Sequence, residues 1–453
     1  MAAINQVMLS EAVHNNRFSA EFFDPQYVFK PSASSTWLPI GRILKKCEYG
    51  ISISMNTEGD GYPIFRMNEI ENCFALRPEK FAAIPNFIFQ QYKLNENDVL
   101  FNRTNSFEFV GRTGIVKDQT DCTFASYLIR LVPDSNIILP EYLTIYLNTP
   151  FGIGQIKRRA MRSINQANVS GAEVKKILIP IASVAEQQKV ANDLNDAFSA
   201  ARKGEQLYKD AQHLLESELG LDKLKFKKPV GYMARFSDTL TNGRFDADYY
   251  RPQFAAIQQT VKDYSNGYEP LISIAAALKP NIDPTKTPNQ LYNYIELSNI
   301  NPTLGTVDGF ASMLGKDLPS RARRQVINGD VIASAVVGSV DKAAVIGAAQ
   351  SGFIASTGFF HFRPIRVSSE YLLILVKSKC VRMQFQQQST GGILSAVPDS
   401  RLKNIIVPKL PDKLQQKISY LVFQSHRAKK RSQELLDQAK ARVEQLIEEA
   451  AAR

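Results

Sequence analysis

Arg17-Phe18-Ser19-Ala20-Glu21-Phe22-Phe23-Asp24-Pro25-Gln26 reappears 227 positions later as Arg244-Phe245-Asp246-Ala247-Asp248-Tyr249-Tyr250-Arg251-Pro252-Gln253. Outward from it, Asn97-Asp98-Val99-Leu100 returns as Gly329-Asp330-Val331-Ile332 at an offset of 232. Glu141-Tyr142-Leu143 returns as Glu370-Tyr371-Leu372 at 229, and Gln187-Gln188-Lys189-Val190 as Gln415-Gln416-Lys417-Ile418 at 228. Four motifs in one order at nearly one offset make the 453-residue chain two copies of a large unit. Solenoid and propeller repeats, at about 20–50 residues, are far shorter. The function should therefore need two related, non-identical modules.

Each half has room for one globular domain of roughly 100–200 residues plus an appended element. A hydrophobic fraction of 44% with 22% charged residues is that of a folded chain rather than a disordered one. No apolar run approaches the roughly 20 residues that span a bilayer. The N-terminus carries no basic-then-apolar leader, so a cytoplasmic location is expected. Cys47, Cys73, Cys122 and Cys380 are widely spaced and read as reduced thiols, not as a zinc site or disulfide frame. Lysine and arginine exceed aspartate and glutamate by 55 − 44 = 11. That surplus favours a polyanionic partner, because each phosphate neutralised releases condensed counterions.

Within each half a mixed region precedes one long polar helix. Runs such as 98–101, 114–116, 127–132 and 176–179 lie between Asn, Gly, Asp and Pro punctuation and predict strands; 330–333, 344–346, 358–362 and 404–407 are their counterparts. Residues 139–148 predict a helix with Leu143, Tyr146 and Leu147 on one face, matched by 370–376. After Pro180, Ser183 and Glu186 form a capping box. Val190, Leu194, Ala197, Ala201, Gly204, Tyr208, Ala211 and Leu215 then alternate steps of four and three. Ile418, Val422, Ser425, Lys429, Ser432, Leu436, Ala439 and Val443 repeat that register. This is the seam of a coiled coil, and two helices of about 30–35 residues would hide their stripes by packing together. Independent amphipathic helices are the alternative.

A search for catalysis finds fragments only. Asn148-Thr149-Pro150-Phe151 is similar to the Asn-Pro-Pro-Phe signature of amino-methyltransferases, but its first Pro is Thr and no Gly-rich cofactor loop precedes it. Pro133-Asp134 with Glu173-x-Lys175 is too widely spaced for a nuclease signature. His14, His213, His361 and His426 stand apart without metal-ligand spacing. No catalytic residue and no metal site is expected.

Polar, basic clusters do fall in loops. In the first half they are Asn102, Arg103, Thr104, Asn105, Arg112, Lys157, Arg158, Arg159, Arg162, Asn165 and Gln166; in the second, Arg321, Arg323, Arg324, Lys342, Arg382, Gln384, Gln387 and Thr390. Arg and Lys suit guanine and phosphate, while Asn and Gln offer the donor–acceptor pair that adenine presents in the major groove. Plain solvated surface is the competing reading, residue by residue.

Asn97-Asp98-Val99-Leu100-Phe101-Asn102-Arg103-Thr104 resembles the Gly-Asp-hydrophobic-hydrophobic-x-x-Arg-Thr turn of target-recognition domains in specificity subunits of bacterial type I restriction–modification systems. Val174-Lys175-Lys176-Ile177-Leu178-Ile179-Pro180 with Glu186-Gln187-Gln188 is similar to that family's junction between recognition domain and spacer helix. Leu402-Lys403-Asn404-Ile405-Ile406-Val407-Pro408 repeats it. The resemblance implies an α/β (α+β) fold with two recognition domains, each followed by a long helix, and the helices packed as an antiparallel coiled coil. Its divisions are 1–182 and 244–410 for the domains, 183–220 and 411–453 for the helices, and 221–243 for a linker. It also implies double-stranded DNA, two modification (methyltransferase) subunits and restriction/translocase subunits as partners. S-adenosylmethionine, ATP and magnesium would belong to those partners and not to this chain.

The second half departs from the pattern. Ala335 stands where the first half has Arg103, and Leu414 where it has Glu186, so Asp412 is expected to cap there. A basic residue recurs as Arg112 and Lys342, both expected on DNA. The sequence thus predicts a DNA-reading subunit without catalysis of its own. Each domain would read half of a bipartite, asymmetric target, the modules about one helical turn, roughly 10–10.5 bp, apart. A scaffold that binds DNA non-specifically, or a self-sufficient methyltransferase, are the alternatives.

Overall fold

The computed structural model describes residues 7–15, 17–28, 31, 36–118, 121–224, 226, 231–390 and 396–452. Residues 1–6, where the absence of a leader was read, and linker residues 225 and 227–230 lie outside them. The chain forms two compact units, residues 1–200 with 431–453 and residues 201–430.

The first unit is built on a six-stranded sheet in the order Leu44–Tyr49, Leu128–Pro133, Val99–Asn102, Thr113–Ile115, Phe74–Ala75, Ile70–Glu71. Successive side chains on a strand point to opposite faces. Here both faces are covered: Val99, Phe101, Ile129 and Leu131 enter one core, while Leu100 and Leu128 enter another. That is why the central strand opens on an unbroken apolar run, Val99-Leu100-Phe101, instead of alternating. The helix Pro140–Leu147 was expected to bury one face, but all eight of its residues are buried. Its polar atoms are met internally, Tyr142 and Tyr146 donating to the carbonyls of Pro180 and Leu178.

The second unit repeats the first four positions of that order as Ala275–Leu278, Phe359–Pro364, Val331–Ser334 and Ala343–Val345. Even the register recurs. Arg130 lies opposite Leu100 and Glu48 in one sheet, and His361 lies opposite Ile332 and Leu278 in the other. The repeated Asp explains the turn that precedes each third strand. Asp98 accepts the Asn95 N–H at 2.9 Å, and Asp330 accepts the Ile327 N–H at 2.9 Å. The residue before each Asp takes a positive φ, 70° at Asn97 and 87° at Gly329, a region favouring Gly and Asn.

Val184–Glu218 and Asp412–Ala452 are single helices of 35 and 41 residues, the second longer than the seam predicts. The division between units falls inside both helices. In the first unit Val190, Leu194 and Ala197 share a core with Leu436, Ala439 and Val443; in the second, Tyr208, Ala211 and Leu215 share one with Ile418 and Val422. Asp193 meets Arg442 in the first, and Gly204 meets Ser425 in the second, so the segments pair antiparallel. The Ser and Gly that thin the seam have a use: Ser425 Oγ donates to the Gly204 carbonyl at 2.7 Å, an approach that a side chain at 204 would obstruct. Asp412 is the first helical residue rather than a cap. Gln415 turns back to the Leu410 carbonyl, as Gln187 does to that of Ala182. The expected linker contains a helix, Phe236–Asn242. Among the described residues no helix is long and apolar enough to cross a membrane, and all four cysteines are free.

Candidate nucleic-acid interface

In the first unit a small sheet stands beside the main one. Met161–Arg162 and Ala167–Asn168 form a hairpin whose second strand pairs with Thr104–Asn105. Its four-residue loop is closed by Ser163, whose N–H and hydroxyl both donate to the Gln166 carbonyl. All six residues from Met161 to Gln166 are exposed, Arg162, Asn165 and Gln166 among them.

Next to the hairpin is the 106–112 turn. The Arg162 guanidinium lies 3.5 Å from the centre of the Phe107 ring, and Arg112, also exposed, lies 4.0 Å from that of Phe109. Lys157, at the end of the helix Pro150–Arg159, donates to the carbonyls of Phe107, Glu108 and Val110 and pins the turn. Burial lowers its ammonium to about 8; Glu108 opposes the shift, and the positive charges of Arg112 and Arg162 add to it. Two exposed guanidiniums on aromatic platforms beside a polar hairpin can meet phosphate oxygens and base edges.

Other predicted contacts in this unit are spent internally. Arg103 is half-buried, donating to Ser126 O and Asn168 Oδ1 and lying over the Tyr49 ring, while Asn168 Nδ2 donates to Thr104 Oγ1. Arg103 and buried Thr104 therefore root the hairpin from behind. Asn105 accepts the Ser106 N–H. Asn102 is fully buried, and its side-chain amide finds no partner among the described residues. Arg158 donates to the Phe22 carbonyl and lies over that ring, and Arg159 donates to the carbonyls of Gln155 and Lys176. Burial, with Arg158 nearby, lowers Arg159 to about 10.

The second unit keeps the frame and changes the surface. Ala335 repeats the backbone bonds of Arg103: Val397 N–H donates to its carbonyl as Val169 N–H does to that of Arg103. The side chain that braces the hairpin is missing. Arg324, with 3% of its surface exposed, donates to Leu278 O and Asp399 Oδ2. Arg323 pairs with Asp283. Lys342 donates to the Leu297 carbonyl, and Arg382 is half-buried. Gln384 is buried between its helix and the strand Ile406–Pro408, and Gln387 donates to the Tyr249 carbonyl. Of the residues predicted in this unit, Arg321 and Thr390 alone are exposed. Thr390 makes a short bridge to Ala396.

Burial accordingly removes Asn102, Thr104, Arg324, Gln384 and Gln387 from the set that can meet DNA directly. A further repeat explains part of that loss. Gln155 binds both the N–H and the carbonyl of Leu178, as Gln384 binds those of Ile406. Arg158 and Gln387 hold the carbonyls of Phe22 and Tyr249, which belong to the repeated N-terminal motif. Gln155 was not recognised from sequence, although its 229-residue offset from Gln384 was there to find. His361 also has a carboxylate partner, Asp330 at 2.6 Å, that lies 31 positions away in sequence. Among the described residues no group of three or more His, Cys, Asp or Glu side chains could hold a metal. The Asn148–Phe151 fragment is a helix junction, with Thr149 Oγ1 accepting the Gly152 N–H.

Residues 43–206 match the family described as type I restriction modification DNA specificity domain. The chain is 28% identical over 205 residues to the EcoKI specificity subunit of Escherichia coli (strain K12), covering 43% of this chain and 42% of that one. It is 25% identical over 117 residues to the EcoBI specificity subunit of Escherichia coli, covering 25% and 23%. Each match spans less than half of the relative's length. A crystal structure of the type I restriction–modification S subunit from M. genitalium aligns over 93% of this chain and 98% of that one, at 12% identity and a TM-score of 0.43.

Proposed function

We propose that this chain, which belongs to the family of type I restriction–modification specificity subunits, reads DNA sequence for a type I complex and is not itself the catalyst. The observation that carries the reading is the surface of the first unit. There Arg112, Arg162, Asn165 and Gln166 are exposed together on a braced hairpin and a pinned turn, the two guanidiniums lying over phenylalanine rings and open to solvent.

Two units with one frame and different surfaces suit a target of two unlike halves. The sheet order, the Asp turn and the glutamine clamp recur, whereas the Arg103 position and the basic turn do not. Each unit reads one half-site, and the long helices set the separation between them. Methyl transfer, with its S-adenosylmethionine, and any ATP- and magnesium-dependent translocation and cleavage are the work of modification and restriction subunits. Tyr420 and Phe423, exposed on the second long helix, offer apolar contacts to such a subunit.

Competition binding with random duplexes, with the modification subunit present, tests the proposal. Enrichment of a two-part motif supports it, and retention of duplexes without any motif contradicts it. Arg112→Ala should weaken binding at one half-site only if that residue reads bases. A uniform loss with a shallower salt dependence assigns it to phosphate.

A further inference from the structure

The tip of the first unit's hairpin carries a side chain that the fold does not use. Ile164 is 98% exposed and Met161, on the same hairpin, 57%. A single exposed apolar residue is ordinary. This one sits where the loop is closed by Ser163 and the hairpin is rooted through Asn168, Thr104 and Arg103. Its neighbours are the exposed amides of Asn165 and Gln166 and the guanidinium of Arg162.

The major groove, about 12 Å wide, admits a two-stranded ribbon, and there an A·T pair shows a mixed face. Adenine offers an acceptor and a donor that an Asn or Gln amide matches, and thymine offers a C5-methyl that only an apolar group matches. An isoleucine beside two amides has both parts of that complement. Being β-branched, its χ1 is already restricted, so ordering it on DNA costs little. The positive charge of Arg162 and Arg112 fits the phosphates that flank the groove.

We infer that Ile164 is a specificity-determining residue that packs on a thymine methyl in the half-site read by the first unit, with Asn165 or Gln166 on an adenine edge beside it. The inference rests on the DNA-reading function proposed above and adds what that reading leaves open: which base the hairpin recognises, and through which atom.

The test uses the full chain with its modification subunit and duplexes enriched from a random pool. Each thymine of the enriched motif is replaced singly by deoxyuridine, which deletes only the methyl. Wild-type protein is expected to lose about fourfold in affinity at one position of one half-site, the value of one buried methyl-sized group. In Ile164→Ala, thymine and deoxyuridine duplexes should bind alike at that position, while Ile164→Val keeps part of the preference. A residue this exposed can be replaced without unfolding the unit. Insensitivity of every thymine in the motif, or a loss that persists unchanged in Ile164→Ala, overturns the contact. A pool that yields no motif overturns the DNA-reading function itself, so the two failures are distinguishable.

Discussion

Gln384→Leu and Gln155→Leu form one perturbation made twice, once in each unit. Gln384 is 1% exposed and binds the Ile406 N–H at 2.9 Å and the Ile406 carbonyl at 2.8 Å. Gln155 binds the Leu178 N–H and carbonyl, each at 2.9 Å, and donates to Tyr146 Oη at 2.7 Å. Leucine has nearly the same volume, so the cavity term is small; Gln384→Leu strips the partner from both Ile406 groups, whereas Gln155→Leu strips it from the Leu178 N–H alone, since Tyr146 Oη still donates to the Leu178 carbonyl. At about 1–3 kcal/mol for each buried unsatisfied group, less some relaxation, the loss is about 3 kcal/mol for Gln384→Leu and about 2 kcal/mol for Gln155→Leu. The strand that each glutamine clamps runs directly into a long helix, so the opening should be local and cooperative. Hydrogen exchange read by mass spectrometry is the assay. In Gln384→Leu, the amides of Ile406 and Val407 should exchange about a hundredfold faster, with those of Leu178 and Ile179 unchanged; Gln155→Leu should show the reverse, by about thirtyfold. A change of less than about fivefold in either strand would refute the claim that the repeated glutamine holds helix to strand.

Arg162→Ala should weaken DNA binding and leave stability within about 0.5 kcal/mol, as for an exposed substitution. Arg324→Ala should do the opposite, lowering stability in urea by about 2 kcal/mol through loss of its buried bonds to the Leu278 carbonyl and Asp399, with the salt dependence of binding unchanged. Burial acts to raise the Asp330 carboxyl, but hydrogen bonds from His361, Arg363 and the Ile327 N–H outweigh it and hold it at about 2. Because its ordinary value is 3.8, the stabilisation is complete above about pH 4 and lost as pH falls through 2. It amounts to about 2 kcal/mol, and Asp330→Asn should flatten that part of an acid titration of the urea midpoint. Gly204→Val places a Cβ 3.1 Å from the Ser425 carbonyl oxygen. It should cost about 1–3 kcal/mol of overpacking, read in the same denaturation assay.

The repeat made the frame legible because it acts as an internal alignment. The strand 128–133 was placed from its apolar run to within a residue at either end, and the seam positions Val190 to Val443 are buried almost throughout. The interface was less legible, for a physical reason. Arg, Asn and Gln are equally at home on a wet surface and inside a hydrogen-bonded clamp, and composition does not separate the two. Gln384 and Arg162 look alike as polar residues near a helix end; one lies against a strand backbone and the other over a phenylalanine ring in solvent. The hairpin itself escaped notice because its strands are two residues each, too short for any alternation. Its exposed isoleucine carries no sequence signal either, since apolar residues in loops usually turn inward.

Whether each unit reads its own half-site is decided by selection from random duplexes with paired proteins. Wild-type chain and Arg162→Ala, each with the modification subunit, would be carried through the same enrichment and sequenced. The wild type should yield a two-part motif, and the variant a motif degraded in one part with the other part and the spacing intact. Equal degradation of both parts, or a wild-type pool without a bipartite motif, would contradict separate reading of the half-sites.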